Sequence, residues 1–311
     1  MKQANIRTKS LSKWYGDVRG VSGINLEIEK GIIGLVGPNS AGKSTLINLI
    51  CGLLAPSQGN VEILGEQAFG GIHFRRHVGV ASQKESIYPF MTVLEFVTSL
   101  TQLHGFCKKE AKQLAISAIE KVQISHKLHQ KAKTLSKGMR QSLKLAQAIA
   151  HHPKILLLDE ILTGCDPLVK HHIKKLLREM AHEGATILLT SHNLKEIELL
   201  TDHVIILDRG KVVAHGTIEA LQQRLKKENH SLRIHGRELR SLARKLLEHS
   251  ETLEIRLTRS EQELFVTTTN AEMLYSYLTE IIVCNNYWVE KIIPVDHNLE
   301  SLFRQLVGGI H

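Results

Sequence analysis

Apolar and polar residues alternate through "GINLEIEKG": Ile24, Leu26 and Ile28 point one way, with Asn25, Glu27 and Glu29 between them. A period of two predicts a half-exposed strand closed by a glycine turn, and the alternation reaches back to about Ile6. "IIGLVG" then abandons the alternation. A continuous apolar run of that length suits a strand buried on both faces. It leads straight into "PNSAGKSTLINLICGLL", a glycine-bearing loop followed by a helical pattern. From Thr92 to about Thr134 the spacing is helical, in "TVLEFVTSLTQLHG" and "KKEAKQLAISAIEKV". Buried strands return at "ILLLD", "TILLTS" and "HVIILDRG", with helical stretches between them. This order predicts an α/β fold whose mostly parallel sheet is covered on both faces.

The character changes after Gly216. "EALQQRLKKENH" reads as a charged helical connector. Then come a strand ("SLRIHG"), a helix ("RELRSLARKLLEHS") and a hairpin-like pair ("LEIRLTRSEQELFVTTT"). A second helix ("AEMLYSYLTEIIV"), a strand ("WVEKIIPV") and a final helix ("NLESLFRQLVGG") complete the chain. The βαββαβ order predicts a small α+β domain with its own core. The expected division is a first domain over 1–216 with a helical part at about 84–150, a connector over 217–230 and an accessory domain over 231–311.

The 311 residues suffice for this plan, and 42% hydrophobic with 23% charged residues is the balance of a globular protein. No apolar run approaches the ~20 residues needed to cross a bilayer, and the start lacks the apolar core of a signal peptide. The expected location is therefore cytoplasmic. A net charge of +9 favours acidic partners such as nucleotides, nucleic acid or anionic lipid, or serves only solubility. Cys51, Cys107, Cys165 and Cys284 form no CxxC pair and read as free thiols. His73 and His77 stand at i, i+4 spacing, but no HExxH or nearby cysteine accompanies them, which argues against a metal site.

The candidate chemistry begins at "GPNSAGKS", Gly37, Pro38, Asn39, Ser40, Ala41, Gly42, Lys43 and Ser44, which fits G-x-x-x-x-G-K-[ST] in full. Glycines let the backbone turn tightly, so that successive N–H groups face phosphate oxygens. The helix that begins at Lys43, Ser44 and Thr45 turns its positive dipole end toward the anion. Lys43 can reach the β- and γ-phosphates, and the Ser44 hydroxyl can ligate Mg²⁺. A plain strand–helix turn would not need Lys-Ser at the end of a buried strand. The strand "ILLLD" delivers Asp159 to the same carboxyl edge of the sheet, where a carboxylate can hold Mg²⁺. Glu160, one residue on, can orient and deprotonate a water. An isolated Asp-Glu pair is often only solvated; beside a phosphate loop the chemical reading prevails.

With these residues placed, the chain resembles the ATP-binding cassette of ABC transporters from Ile6 to Gly216. "LSKGMRQ" looks like the signature motif, "SQKESIYPFMTVLEF" like the segment that opens on the Q-loop glutamine, here Gln83, and "TSHNLKEIE" like the switch-histidine region, here His192. "TGCDP" looks like the D-loop, with Asp166, and "KWYG" like the aromatic A-loop, with Tyr15. The resemblance implies a P-loop NTPase fold with antiparallel and helical subdomains, and the cofactors ATP and Mg²⁺. It gives Tyr15 a π-face for adenine, worth ~1–3 kcal/mol by analogy with base stacking. Gln83 would contact Mg²⁺ or the water beside Ser44 and Asp159. A neutral His192 imidazole could donate to the γ-phosphate. Ser136 and Gly138, ahead of "MRQSLKLAQAIA", read alone as an ordinary N-cap. In the family they form an anion cradle over the γ-phosphate of a second cassette. Two chains would then sandwich two nucleotides head to tail, in a C2 homodimer.

Four positions depart from the family pattern. Ser40 replaces a common glycine, Lys137 the second signature glycine, and Ile161 and Cys165 a proline and a leucine after the catalytic acid. None removes a catalytic group. The expected activity is ATP hydrolysis, with Glu160, His192 and Lys43 as catalytic residues, powering a separate polytopic membrane permease. The C-terminal part resembles exporter-type cassettes, which points to export and to a peripheral position on the inner membrane face. The alternative, a soluble ABC ATPase acting on ribosomes or nucleic acid, suits the charge. It fits one cassette with a short helical insertion poorly, so no nucleic acid is expected. A degenerate, non-hydrolysing regulator is disfavoured because every catalytic position is filled.

Overall fold

The computed structural model describes residues 4–84, 87–226, 230–258 and 260–294, with positions 299, 303, 306 and 307. Most of the predicted final helix lies outside the described residues. The chain divides into two units, 1–216 and 217–311.

The first unit opens with β1 (Ile6–Tyr15) and β2 (Val18–Ile28), then β3 (Gly31–Val36), α1 (Lys43–Ile50), β4 (Gln58–Ile63), β5 (Glu66–Gln67) and β6 (Val78–Ala81). Next come α2 (Val93–Gln102), α3 (Lys108–Lys121), α4 (Lys137–Ile149), β7 (Ile155–Asp159), α5 (Pro167–His182), β8 (Thr186–Thr190), α6 (Leu194–Glu198), β9 (His203–Asp208) and β10 (Lys211–Thr217). Strands β2-β1-β4-β5 form one antiparallel sheet. A second sheet runs β10-β9-β3-β8-β7-β6, and its pairs from β9 to β6 are parallel. α1 is the layer between them: Leu46, Ile47, Leu49 and Ile50 are buried with Ile24, Leu26 and Ile28 of β2 and with Ile155, Leu157 and Leu188 of the parallel sheet. Each such side chain contributes about 1.5–3 kcal/mol by burial. The same packing fixes the phosphate loop at the head of α1.

The stretch back from Ile24 to Ile6 is two strands, not one. β1 pairs β2 with register shifts between Thr8 and Trp14, and Ser10 sits at φ 47°, so the inward–outward alternation breaks there. β6, "VGVA", is a strand that the apolar runs do not announce. It is only four residues long, and Gly79 is there because a Cβ would lie 2.0 Å from the Ala148 carbonyl oxygen of α4. The helical spacing from Thr92 to Thr134 is interrupted. α3 ends as Gln123 turns to φ 61°, and short 3₁₀ turns follow at Ser125–Lys127 and Ala132–Thr134. α2 starts at a reciprocal cap between Thr92 and Glu95.

The second unit contains α7 (Ile218–Lys226), β11 (His230–Gly236), α8 (Leu239–Leu247), β12 (Thr252–Leu257), β13 (Glu263–Thr268), α9 (Ala271–Asn285) and β14 (Val289–Pro294). The sheet order β12-β13-β11-β14 is antiparallel throughout, with β12 and β14 at the edges. Leu232, Ile234, Leu264 and Val266 pack against Leu239, Leu242 and Leu246 of α8 and Leu274, Leu278 and Ile281 of α9. The βαββαβ expectation for 231–294 describes this arrangement.

Candidate functional site

Strand order builds the site. β3, β8, β7 and β6 lie side by side and parallel, so their carboxyl ends share one edge. The phosphate loop leaves β3, His192 follows β8, Asp159 and Glu160 end β7, and Gln83 follows β6.

In the loop, Gly37 is buried while Asn39 and Ser40 are exposed. Gly42 holds φ 101° at the N-cap of α1, and a Cβ there would stand 2.4 Å from the Gly20 carbonyl oxygen, so no other residue fits. Ser40 adopts φ 68°, the left-handed region in which its side chain is strained. The Lys43 ammonium donates to the carbonyl oxygens of Gly37 at 2.7 Å and Pro38 at 2.9 Å. Burial lowers its pKa, while the nearby charges of Glu160 and Asp159 oppose that shift. Ser44 and Thr45 complete the first turn of α1.

The acids are tightly organised. Asp159 is buried and accepts from the Thr190 hydroxyl at 2.7 Å. The amide of Glu160 donates to that same hydroxyl at 2.9 Å. Glu160 itself sits at φ 55°. Its Oε2 accepts from the Thr163 hydroxyl at 2.9 Å and meets His192 Nδ1 at 2.9 Å. A carboxylate only accepts, so Nδ1 carries the hydrogen, and a neutral His192 ring presents its Nε2 outward as an acceptor. The expectation that a neutral imidazole donates to phosphate does not suit this rotamer, in which Glu160 takes the one N–H.

Gln83 is exposed, and its carbonyl, like that of Ser82, accepts from the buried Lys144 ammonium of α4 at 3.1 Å. Tyr15 is 47% exposed. A Cβ on Gly20 would lie 2.9 Å from its Cε2 and 3.1 Å from Thr45 Cγ2, so ring and α1 flank one point.

Ser136, Gly138 and Asp166 form a second group. Ser136 is the N-cap of α4 and accepts from the Met139 amide at 3.3 Å. The helix begins at Lys137, so Gly138 belongs to its first turn rather than preceding it. Asp166 caps α5 through the Val169 amide at 2.9 Å, with Pro167 at the first helical position. A Cβ on Gly138 would lie 3.6 Å from Cys165 Cα and 3.9 Å from Asp166 Oδ2, which brings the two helix starts together. Lys137 lays its stem over Gly164, where a Cβ would come within 2.5 Å of its Cε. Ser191, beside His192, donates to Glu196 at 3.2 Å, and Glu196 pairs with Lys170 of α5 at 2.7 Å.

Thr190, Thr163, Lys144, Lys170 and Glu196 were not legible as site residues. No spacing marks them, and the one hint was a threonine at each end of the apolar "ILL" in "TILLT". Among the described residues no cluster of three or more His, Cys, Asp or Glu could hold a metal ion.

Comparison with known proteins bears on the family and the fold. Residues 21–163 match the family model described as ABC transporter. The chain is 29% identical over 97% of its length to the linearmycin resistance ATP-binding protein LnrL of Bacillus subtilis (strain 168), covering 98% of that protein. It is 31% identical over 96% of its length to the Nod factor export ATP-binding protein I of Rhizobium johnstonii, covering 93% of it. A solved ATP-binding cassette, dimeric and bound to ADP and Pi, superposes with a TM-score of 0.64 over 68% of this chain and 98% of its own, at 23% identity.

Proposed function

The chain belongs to the ABC transporter family as an ATP-binding, ATP-hydrolysing subunit, and from that premise we propose how its residues divide the work. The carrying observation is the convergence of Lys43, Asp159, Glu160 and His192 at the ends of β3, β7 and β8. Loop amides of Gly37 and of Asn39 to Gly42, in a turn shaped by Pro38, and the start of α1, with Ser44 and Thr45, cradle the phosphates, and Lys43 supplies charge to the β- and γ-phosphates. Tyr15 stacks on adenine. Glu160 orients the attacking water and takes its proton. Oε2 is already committed to Thr163 and His192, so Oε1 is the base. His192 holds that carboxylate, and its Nε2 reaches phosphate as a donor only in the imidazolium form. Ser44, Gln83 and Asp159 are hard oxygen donors of the kind Mg²⁺ takes, and the ion, when bound, neutralises phosphate charge.

Ser136 and Asp166 cap their own helices, and Gly138 lies in the first turn behind Ser136, so these helix starts suit the nucleotide of a second copy. The dimeric ADP-and-Pi form of the solved cassette supports a head-to-tail homodimer. Among the described residues no helix is long and apolar enough to cross a membrane. The relatives named as ATP-binding proteins of export and resistance systems support a separate polytopic permease as the partner that receives the force, and their names favour outward transport. This reading is tested by capturing the tagged chain from detergent-solubilised membranes. A stoichiometric polytopic protein is expected; ribosomes or nucleic acid in its place would overturn the transport assignment and leave the ATPase standing.

A further inference from the structure

We propose that Thr190 is a positioning residue for hydrolysis, setting the magnesium carboxylate and the base carboxylate in one fixed relation through a single hydroxyl. The inference rests on the ATPase reading above. Thr190 ends β8 directly opposite Asp159 in the parallel register and is fully buried. A hydroxyl has one hydrogen and two lone pairs. Here the hydrogen goes to Asp159 Oδ1 at 2.7 Å, and a lone pair accepts the Glu160 amide at 2.9 Å.

Both bonds bear on function. β7 ends at Asp159, so the Glu160 amide lies beyond the strand and takes the Thr190 hydroxyl as its partner. Glu160 also turns to φ 55°, a region that a non-glycine residue enters only when its surroundings hold it there. That turn aims its carboxylate at Thr163 and His192. The donated hydrogen meanwhile fixes the Asp159 carboxylate and leaves Oδ2 outside this bond. A threonine serving only as strand filler would need neither partner. One that bonds both ties the carboxylate of Asp159 to the backbone turn from which the Glu160 carboxylate is aimed.

The test compares the full-length Thr190→Val, which keeps the shape and loses the hydroxyl, with Thr190→Ser, which keeps the hydroxyl. Steady-state hydrolysis, its Mg²⁺ dependence and Mg²⁺-free ATP binding are measured for each, with Glu160→Gln alongside. Thr190→Val is expected to lose about 10–100-fold in kcat, the usual cost of removing an outer-shell partner, and to need several-fold more Mg²⁺. Its Mg²⁺-free ATP affinity should stay unchanged, and Thr190→Ser should recover kcat. Full-rate Thr190→Val would overturn the inference. So would a Thr190→Ser as slow as Thr190→Val, because shape and not the hydroxyl would then matter. If the unmodified chain and Glu160→Gln hydrolyse ATP alike, the ATPase assignment of Glu160 fails first, and the role of Thr190 falls with it.

Discussion

His192 Nδ1 and Glu160 Oε2 meet at 2.9 Å, joining the loop after β8 to the end of β7. The pair divides labour within one carboxylate, since Thr163 also engages Oε2 and Oε1 remains for water. Glu160→Gln keeps the shape and removes the base. Turnover should fall ~10²–10⁴-fold, the usual contribution of a general base, with ATP binding retained. Phosphate release and equilibrium nucleotide binding on one preparation decide it; undiminished turnover would remove Glu160 from the role.

Lys43 is buried among acceptors, with Asp159 and Glu160 close enough to support its charge. A hydrogen bond from a charged group contributes about 1.5–3 kcal/mol, so Lys43→Ala should weaken ATP binding by about 10–100-fold. Near-normal affinity by titration calorimetry would count against the phosphate loop.

Tyr15 offers its ring beside Thr45 in the first turn of α1. Tyr15→Ala should cost ~1–3 kcal/mol of ATP affinity and Tyr15→Phe almost none, because stacking uses the π-face and not the hydroxyl. A loss with Tyr15→Phe as large as with Tyr15→Ala would assign the effect to the hydroxyl.

Much of this was legible because its physics is local. The phosphate loop is a fixed spacing on a strand–helix turn, and the βαββαβ order of the second unit follows from periods of 2 and 3.6. Ser40 was recognisable as a departure, but its reason, φ 68°, needed the backbone. β6 and the Thr190 bridge depend on partners far along the chain, Ala148 for Gly79 and Asp159 for Thr190. A pattern read within one segment carries no information about such partners.

Ser40 bears the left-handed strain and offsets part of it through its hydroxyl, which donates to the Asn39 carbonyl. Ser40→Gly should therefore raise stability by up to about 1 kcal/mol, the left-handed penalty less the entropy that glycine loses. Chemical denaturation measures it, and a drop in stability would show that the hydroxyl bond outweighs the strain.

His151 stacks on His104 at 3.6 Å between ring centres, with planes 8° apart. Its Nε2 lies 3.2 Å from the Val78 carbonyl, and its buried Nδ1 has no partner among the described residues. Burial pushes its pKa down to about 4, helped by His104, His152 and His77 and opposed by the Val78 bond. Between pH 6.5 and about 4 the unfolded chain binds a proton that the folded chain refuses. Stability is thus full above 6.5 and lost as pH falls through this window, by at most about 3 kcal/mol. His151→Phe keeps a stacked ring and should flatten that acid limb in urea titrations, though it starts lower at neutral pH. An unchanged slope would assign the acid sensitivity to other groups.

Among the described residues, the second unit's sheet ends in two edge strands, β12 and β14. β12 exposes Glu254 and Arg256, paired at 3.3 Å, and β14 exposes Glu290 and Lys291. A foreign strand zipping onto either edge would have to strip water from charges of both signs. Charges so placed oppose edge-to-edge pairing with another chain, the usual route by which an uncovered sheet polymerises.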